Sequence, residues 1–288
     1  MAGVVAVPPA GLWGAWSFDP AVVGGLVLAA VAYERGWTAL RRLARPPVTG
    51  RHAAAFGAGL GLLVVALVSP LDGLDATLLS AHMAQHLILL VAAPPLLLAG
   101  RPGLVLPRGL PLTGRRRLVV LSRRLHGPAR WARNPLVVLV LVTATMWGWH
   151  LPGVYDAALA HPGLHAAEHA AFLGTALLFW RLVVDPAPRR KLGYAPAMLL
   201  TFGVMLQGAA LGAAIALSPA VLYPAYGAGA AMWHVSALGD QQLAGALMWV
   251  PPGGLYLITI VALASRWFAD VERRMRHREA RLAPAQAP

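Results

Sequence analysis

TLLSAHMAQHLILLVAAPPLLLA, Thr77 to Ala99, runs for 23 residues without an Asp, Glu, Lys or Arg. A helix needs roughly 20 mainly apolar residues to cross the hydrocarbon core of a bilayer, so this stretch reads as a membrane span. Yet it opens on His82 and His86, four residues apart and so on one face of a helix. Imidazoles are rare in a lipid-buried helix; there they face the bundle interior or mark a site.

The rest of the chain has the same character. Of its 288 residues, 58% are hydrophobic and 12% charged, where a soluble domain is about one quarter charged. Seven stretches meet the spanning test: about 21–40, 52–70, 77–99, 135–152, 164–184, 195–217 and 242–266. The expectation is an all-α membrane protein, a single seven-helix domain over 1–288 with no separate soluble domain. A basic loop covers 101–133, and a disordered tail covers about 280–288. The N-terminus, broken by Pro8, Pro9 and Asp19, reads as no cleavable signal.

All 24 basic residues fall in four segments. Arg35, Arg41, Arg42, Arg45 and Arg51 lie around the junction of the first two stretches. Nine arginines lie between Arg101 and Arg133. Arg181, Arg189, Arg190 and Lys191 follow the fifth stretch, and Arg266 with five more arginines follows the seventh. The N-terminus and the loops after the second, fourth and sixth stretches have none. The positive-inside rule then puts the N-terminus outside and the C-terminus in the cytoplasm. It also explains the net charge of +13 without nucleic acid as a partner. Membrane lipid is the expected contact of the basic loop, with Arg115 to Arg124 as a surface helix.

With no cysteine, the chain has no disulfide, thiolate zinc site, iron–sulfur cluster or CxxC chemistry. A retinal-type Schiff base needs a lysine within the bundle, and Lys191 is in a loop. Histidine carries the signal instead. His52, His126 and His277 are at cytoplasmic positions; the other seven lie on the outer side. His82 and His86 start the third stretch and His150 ends the fourth. His165, Glu168 and His169 share a face at the start of the fifth, which Pro162 opens, and His161 precedes it. These are the candidate metal-binding residues, with Met83, Met232, His234, Asp240 and Gln241 as further candidates. Imidazole suits copper and zinc, and thioether adds a preference for Cu(I). Copper, as Cu(I), is the expected ion and zinc the alternative, with Glu168 and Asp240 fixing ligand tautomers or ligating directly. Asp72 and Asp75 read as solvated loop acids.

Several stretches, in this order, resemble the CtaG-type family of cytochrome c oxidase assembly factors, the multi-helix membrane kind that serves caa3 oxidases. They are His82-Met83-Ala84-Gln85-His86 before Pro94-Pro95, and Trp149-His150-Leu151-Pro152 with Tyr155-Asp156. His165-Ala166-Ala167-Glu168-His169 before Phe179-Trp180 follows, then Asp240 to Gly245 before Met248-Trp249 and Pro251. The resemblance implies a non-enzymatic role in maturing a haem–copper oxidase by helping copper reach its catalytic subunit. It implies that subunit, and other copper chaperones, as partners in a bacterial plasma membrane. It points to His82, His86, His150, His165, Glu168, His169, Asp240 and Gln241. The residues themselves leave two other readings open. One is a zinc-dependent membrane hydrolase with Glu168 as general base, and the other is a haem-binding electron carrier with two axial histidines.

Overall fold

The computed structural model describes residues 6–124, 128–184 and 192–282. His126, Arg189, Arg190, Lys191 and the end of the expected tail, 283–288, lie outside them. Among the described residues there is helix and no strand. In chain order the helices are α1 (Pro20–Arg41), α2 (Gly50–Leu67), α3 (Pro70–Leu74), α4 (Leu79–Leu87), a π turn (Ile88–Ala92), α5 (Ala93–Ala99), α6 (Pro102–Gly109) and α7 (Leu112–Arg124). Then come α8 (Pro135–Trp149), α9 (Pro152–Ala160), α10 (Pro162–Val184), α11 (Tyr194–Ala216), α12 (Gly227–Met232) and α13 (Ala237–Leu282). Proline opens α1, α3, α6, α8, α9 and α10. Its fixed φ suits the first helical position, and its missing N–H costs nothing there.

Five segments are long and apolar enough to cross a membrane: Gly50–Leu74, Leu79–Ala99, Pro162–Val184, Tyr194–Ala216 and Ala237–Glu279. The pair α8 and α9, bent by 73° at His150 and Leu151, makes a sixth if counted as one span. The chain is thus an all-helical membrane protein. The first expected span, about 21–40, is α1, but Tyr33-Glu34-Arg35 interrupts its apolar run and it falls short of the same measure. The last is much longer than 242–266: α13 runs 46 residues, through Pro251 and Pro252 and well past the apolar part.

Proline also determines where helices exchange hydrogen bonds. Pro94 has no N–H to offer Leu90 O, four residues back. The helix widens there, with Ala93 N–H reaching back five residues to Ile88 O, and the Trp180 indole donates to Leu90 O at 2.9 Å. Pro70 leaves Ala66 O open in the same way, and the Gln85 amide donates to it at 2.7 Å. Each freed carbonyl becomes a tie between helices that are distant in sequence, as a water-free interior requires.

Close backbone contacts complete the frame. α6, the start of the basic loop, docks on α1: a Cβ at Gly36 would lie 2.0 Å from Val105 O, and one at Gly109 1.7 Å from Ala32 O. α11 and α13 touch likewise, with a Cβ at Gly245 only 2.4 Å from Ala216 N. Next comes α7, the expected surface helix, with Arg115, Arg116, Arg117 and Arg124 exposed. The buried side chains Leu79, Met83, Met146, Tyr155, Phe172, Leu211, Tyr223, Tyr226 and Met248 form the cluster nearest the histidines.

Candidate metal centre

α4 carries His82 and His86, and its N-terminus lacks a cap of its own, since Leu78 precedes it. Asp240, 161 residues away in the first turn of α13, takes that role. Its Oδ2 accepts from Leu79 N–H at 2.7 Å, and its Oδ1 from Ser80 N–H at 3.2 Å and from the Ser80 hydroxyl at 2.5 Å. A carboxylate there satisfies otherwise unpaired amides and complements the positive end of the helix. Gln241 beside it holds the 217–226 connection. Its Oε1 accepts from Leu222 N–H at 2.6 Å, and its Nε2 donates to Ala220 O at 3.0 Å.

That connection carries two tyrosines over the histidines. Tyr223 donates to His150 O at 2.7 Å. The Tyr226 hydroxyl lies 3.2 Å from His82 Nδ1 and 2.8 Å from the Tyr155 hydroxyl. Burial pushes the Tyr223 phenol up to about 12 and holds Tyr226 well above the ordinary range, so both stay protonated, and His82 can donate its Nδ1–H to the Tyr226 oxygen, which leaves His82 Nε2 with the lone pair.

α10 brings His165, Glu168 and His169 opposite α4. The ring centroids are 4.2 Å apart for His82 and His86, 4.1 Å for His165 and His169, 5.3 Å for His82 and His165, and 5.5 Å for His86 and His169. His150, at the C-terminal cap of α8, has its ring 6.0 Å from that of His86. Its Nδ1 lies 2.7 Å from Met146 O, a pure acceptor. Nδ1 therefore carries the proton, and Nε2 presents a bare lone pair.

The exceptional feature is what these groups lack. His82 Nε2, both ring nitrogens of His86, the Nε2 atoms of His150, His165 and His169, and both Glu168 oxygens are buried without a hydrogen-bond partner. Buried polar atoms are almost always paired, and each left alone costs about 1–3 kcal/mol. So many in one place point to a group that binds among them. Glu168 is fully buried; its oxygens lie 3.7 Å from His86 Nε2 and 3.9 Å from His82 Nε2. Those distances are long for hydrogen bonds. They approach the roughly 3.3–3.8 Å that separates two ligands bound to one ion at about 2.0–2.2 Å each. Two triads have ligand atoms within 4.8 Å of one another: His82, His86 and Glu168, and His82, His165 and His169. His82 is common to both. The donor set, neutral nitrogen with one carboxylate, fits copper or zinc.

The structure thus brings His82, His86, His150, His165, His169 and Glu168 together, with buried Met83 beside them. Met232 and His234 are exposed, His234 in the left-handed region with φ 56°, and the exposed His161 also stands apart. Asp240 and Gln241 hold the helix and the connection that frame the cluster. Asp75, expected as a solvated acid, is 6% exposed, and its Oδ2 lies 3.3 Å from His165 Nε2. Burial, with Asp72 nearby adding to it, pushes the Asp75 carboxyl well above the usual carboxylate range. Asp72 also has a partner, accepting from Gln85 Nε2 at 2.8 Å. Sequence reasoning missed Asp75 and Tyr226. The signal for Asp75 was its place one helical turn after Asp72 and close before α4; Tyr226 offered none.

The profile of a family described as cytochrome c oxidase caa3 assembly factor matches residues 31–270. The chain is similar to two proteins described as uncharacterised, from Mycobacterium bovis and Mycobacterium tuberculosis, each 31% identical over 276 residues. A third, from Mycobacterium leprae, is 26% identical over 283 residues. Each comparison covers 93% of this chain but only 41% of the relative, so the chain spans less than half the length of the curated relatives it matches. No solved structure matches. The chain belongs to the cytochrome c oxidase caa3 assembly factor family.

Proposed function

We propose that this member of the caa3 assembly factor family holds copper, as Cu(I), in its histidine cluster and passes it to the catalytic subunit of a haem–copper oxidase. Copper is cargo in this reading, and the protein is an assembly factor and not an enzyme. The observation that carries it is the convergence of unpartnered imidazole nitrogens on the unpartnered carboxylate of Glu168. Five neutral imidazoles and one carboxylate balance a single positive charge. In a medium where uncompensated charge is expensive, that favours a monovalent ion over a divalent one.

The seven-span topology, with the N-terminus outside and α1 as the first span, belongs to the same proposal. It rests on the segregation of all 24 basic residues. It sets the cluster near the outer face of a bacterial plasma membrane, where an outward-facing copper pathway needs it. Other copper chaperones would load or unload the site. The roles divide by place: His82, His86, His150, His165, His169 and Glu168 bind, Tyr226 and Asp75 orient His82 and His165, and Asp240 and Gln241 hold the frame.

One other reading has a specific observation behind it. Two imidazoles and a buried carboxylate within 4.8 Å also suit zinc, and a zinc-dependent membrane hydrolase would use them. The deciding experiment is His82→Ala/His86→Ala in a host that depends on the protein for oxidase maturation. The expected result is loss of oxidase copper and activity while the variant stays at normal levels in the membrane. Intact oxidase copper and activity would refute the proposal. Zinc bound by purified protein, together with hydrolysis of a lipid ester, would favour the hydrolase.

A further inference from the structure

A cavity adjoins the histidine cluster, and its walls differ from it in kind. It is lined by Met83 of α4, Met146 of α8, Met205 of α11 and Met248 of α13, with His86 and His150 at the same wall. Four of the protein's eight methionines thus surround one void, each from a different helix. Its space for the centres of water-sized molecules is about 40 Å³. That admits an ion with a water or two.

Methionine commonly fills irregular gaps in a core. Here Met83, Met146 and Met248 are buried and in one packing cluster, yet they border a gap and leave it open. Gln207 also lines it, and its Oε1 is buried without a partner. The cavity therefore shows both soft sulfur donors and an unmatched polar oxygen, and it meets the cluster at two imidazoles whose Nε2 atoms are free.

We propose that this cavity is a second metal site, a thioether chamber selective for Cu(I), which exchanges its ion with the imidazole cluster through His86 and His150. The inference rests on the copper reading above. Thioether sulfur binds Cu(I) and discriminates against zinc and other harder ions, whereas imidazole accepts all of them. Passage between the two is ligand substitution: a Cu–S bond breaks as a Cu–N bond forms, copper stays Cu(I), and no proton or electron moves.

The test uses the full chain in detergent with Cu(I) supplied anaerobically and Zn(II) in parallel. X-ray absorption at the metal edge counts sulfur neighbours. Two variants divide the sites. Met83→Leu/Met146→Leu/Met248→Leu changes the chamber at nearly constant volume, and His165→Ala/His169→Ala changes the cluster without touching the chamber wall. The unaltered protein is expected to bind about one Cu(I) more than Zn(II), with sulfur neighbours on copper and none on zinc. The leucine variant, with only Met205 left in the chamber, should lose most of the sulfur neighbours and the extra copper while keeping its zinc. The histidine variant should keep sulfur-bound copper and bind zinc more weakly, with only His82, His86 and Glu168 left to hold it.

Absence of sulfur neighbours at any copper loading, or an undiminished sulfur count in the leucine variant, would overturn the chamber. If the triple variant does not fold, the single variants Met83→Leu and Met248→Leu serve, each expected to lower the sulfur count, and an unchanged count in both overturns it. The copper reading fails separately, if the histidine variant retains all nitrogen-bound copper and still matures the oxidase.

Discussion

Asp240→Ala is the sharpest test of how the site is built. The substitution removes the acceptor for Leu79 N–H, Ser80 N–H and the Ser80 hydroxyl, all buried against α13. Hydrogen bonds to a charged acceptor contribute about 1.5–3 kcal/mol each, and a buried donor left alone costs about 1–3 kcal/mol. The three share one carboxylate and one helix end, so their losses overlap, and about 4 kcal/mol is the expected total. At roughly 2–4 °C per kcal/mol, the melting temperature of the purified protein should fall by on the order of 10 °C. The first turns of α4 carry His82, so metal affinity should fall by about tenfold or more, as it does when groups that orient ligands are removed. Asp240→Asn keeps one acceptor oxygen and should lose about half as much, while Ser80→Ala should lose about 1 kcal/mol. Thermal melting and a metal titration on the same samples read both effects. A melting temperature within about 2 °C of the unaltered protein, with unchanged metal affinity, would refute the view that α13 holds the histidine helix through this carboxylate.

Other consequences can be measured in the same way. Glu168→Gln replaces a buried carboxylate lacking hydrogen bonds by a neutral amide, so the metal-free protein should melt at the same temperature or higher, while metal affinity drops by about 10-fold to 100-fold. A titration showing unchanged affinity would remove Glu168 from the site. Trp180→Phe keeps an aromatic ring but leaves Leu90 O without its donor, and thermal melting should show a loss of at least about 1–3 kcal/mol. Gly245→Val would drive a side chain into the α11 backbone. Its cost should exceed about 3 kcal/mol, visible as loss of folded protein in gel filtration; normal yield and melting would contradict the close approach of α11 and α13.

Much of this was legible in the chain, because lipid imposes simple rules. Apolar runs of spanning length gave the helices of the bundle, and His82 with His86, like His165 with His169, showed a shared face through a spacing of four. What periodicity cannot show is which distant groups meet. Asp240 reads in the sequence as a further candidate beside the histidines because it stands near them in depth; that its oxygens accept from the N-terminal amides of α4 has no sequence signal. Asp75 looked solvated because loops are, yet it packs against His165. The docking of α6 onto α1 was hidden because Gly36, Val105 and Gly109 belong to no common pattern until the backbones touch. The apolar run 242–266 marks only the membrane-crossing part of α13, and its alternating acidic and basic residues after 270 read as a helix continuation, which the structure carries to Leu282.

The π turn between α4 and α5 sets a phase. An α-helix turns about 100° per residue, and a π turn inserts one residue without adding a turn. The part of the span bearing His82 and His86 and the part bearing Leu97, which packs on Gly59, are therefore indexed one residue apart from an uninterrupted helix. Removing any one residue between Ile88 and Ala92 would restore the ordinary winding. Winding all of these residues as uninterrupted α-helix, with Leu97 kept against Gly59, would instead rotate both imidazoles about 100° away from Glu168. The wide turn thus absorbs one residue: a one-codon deletion here would remove the turn and keep the bearing of the histidines one or two turns away, whereas losing the turn without losing a residue would rotate them.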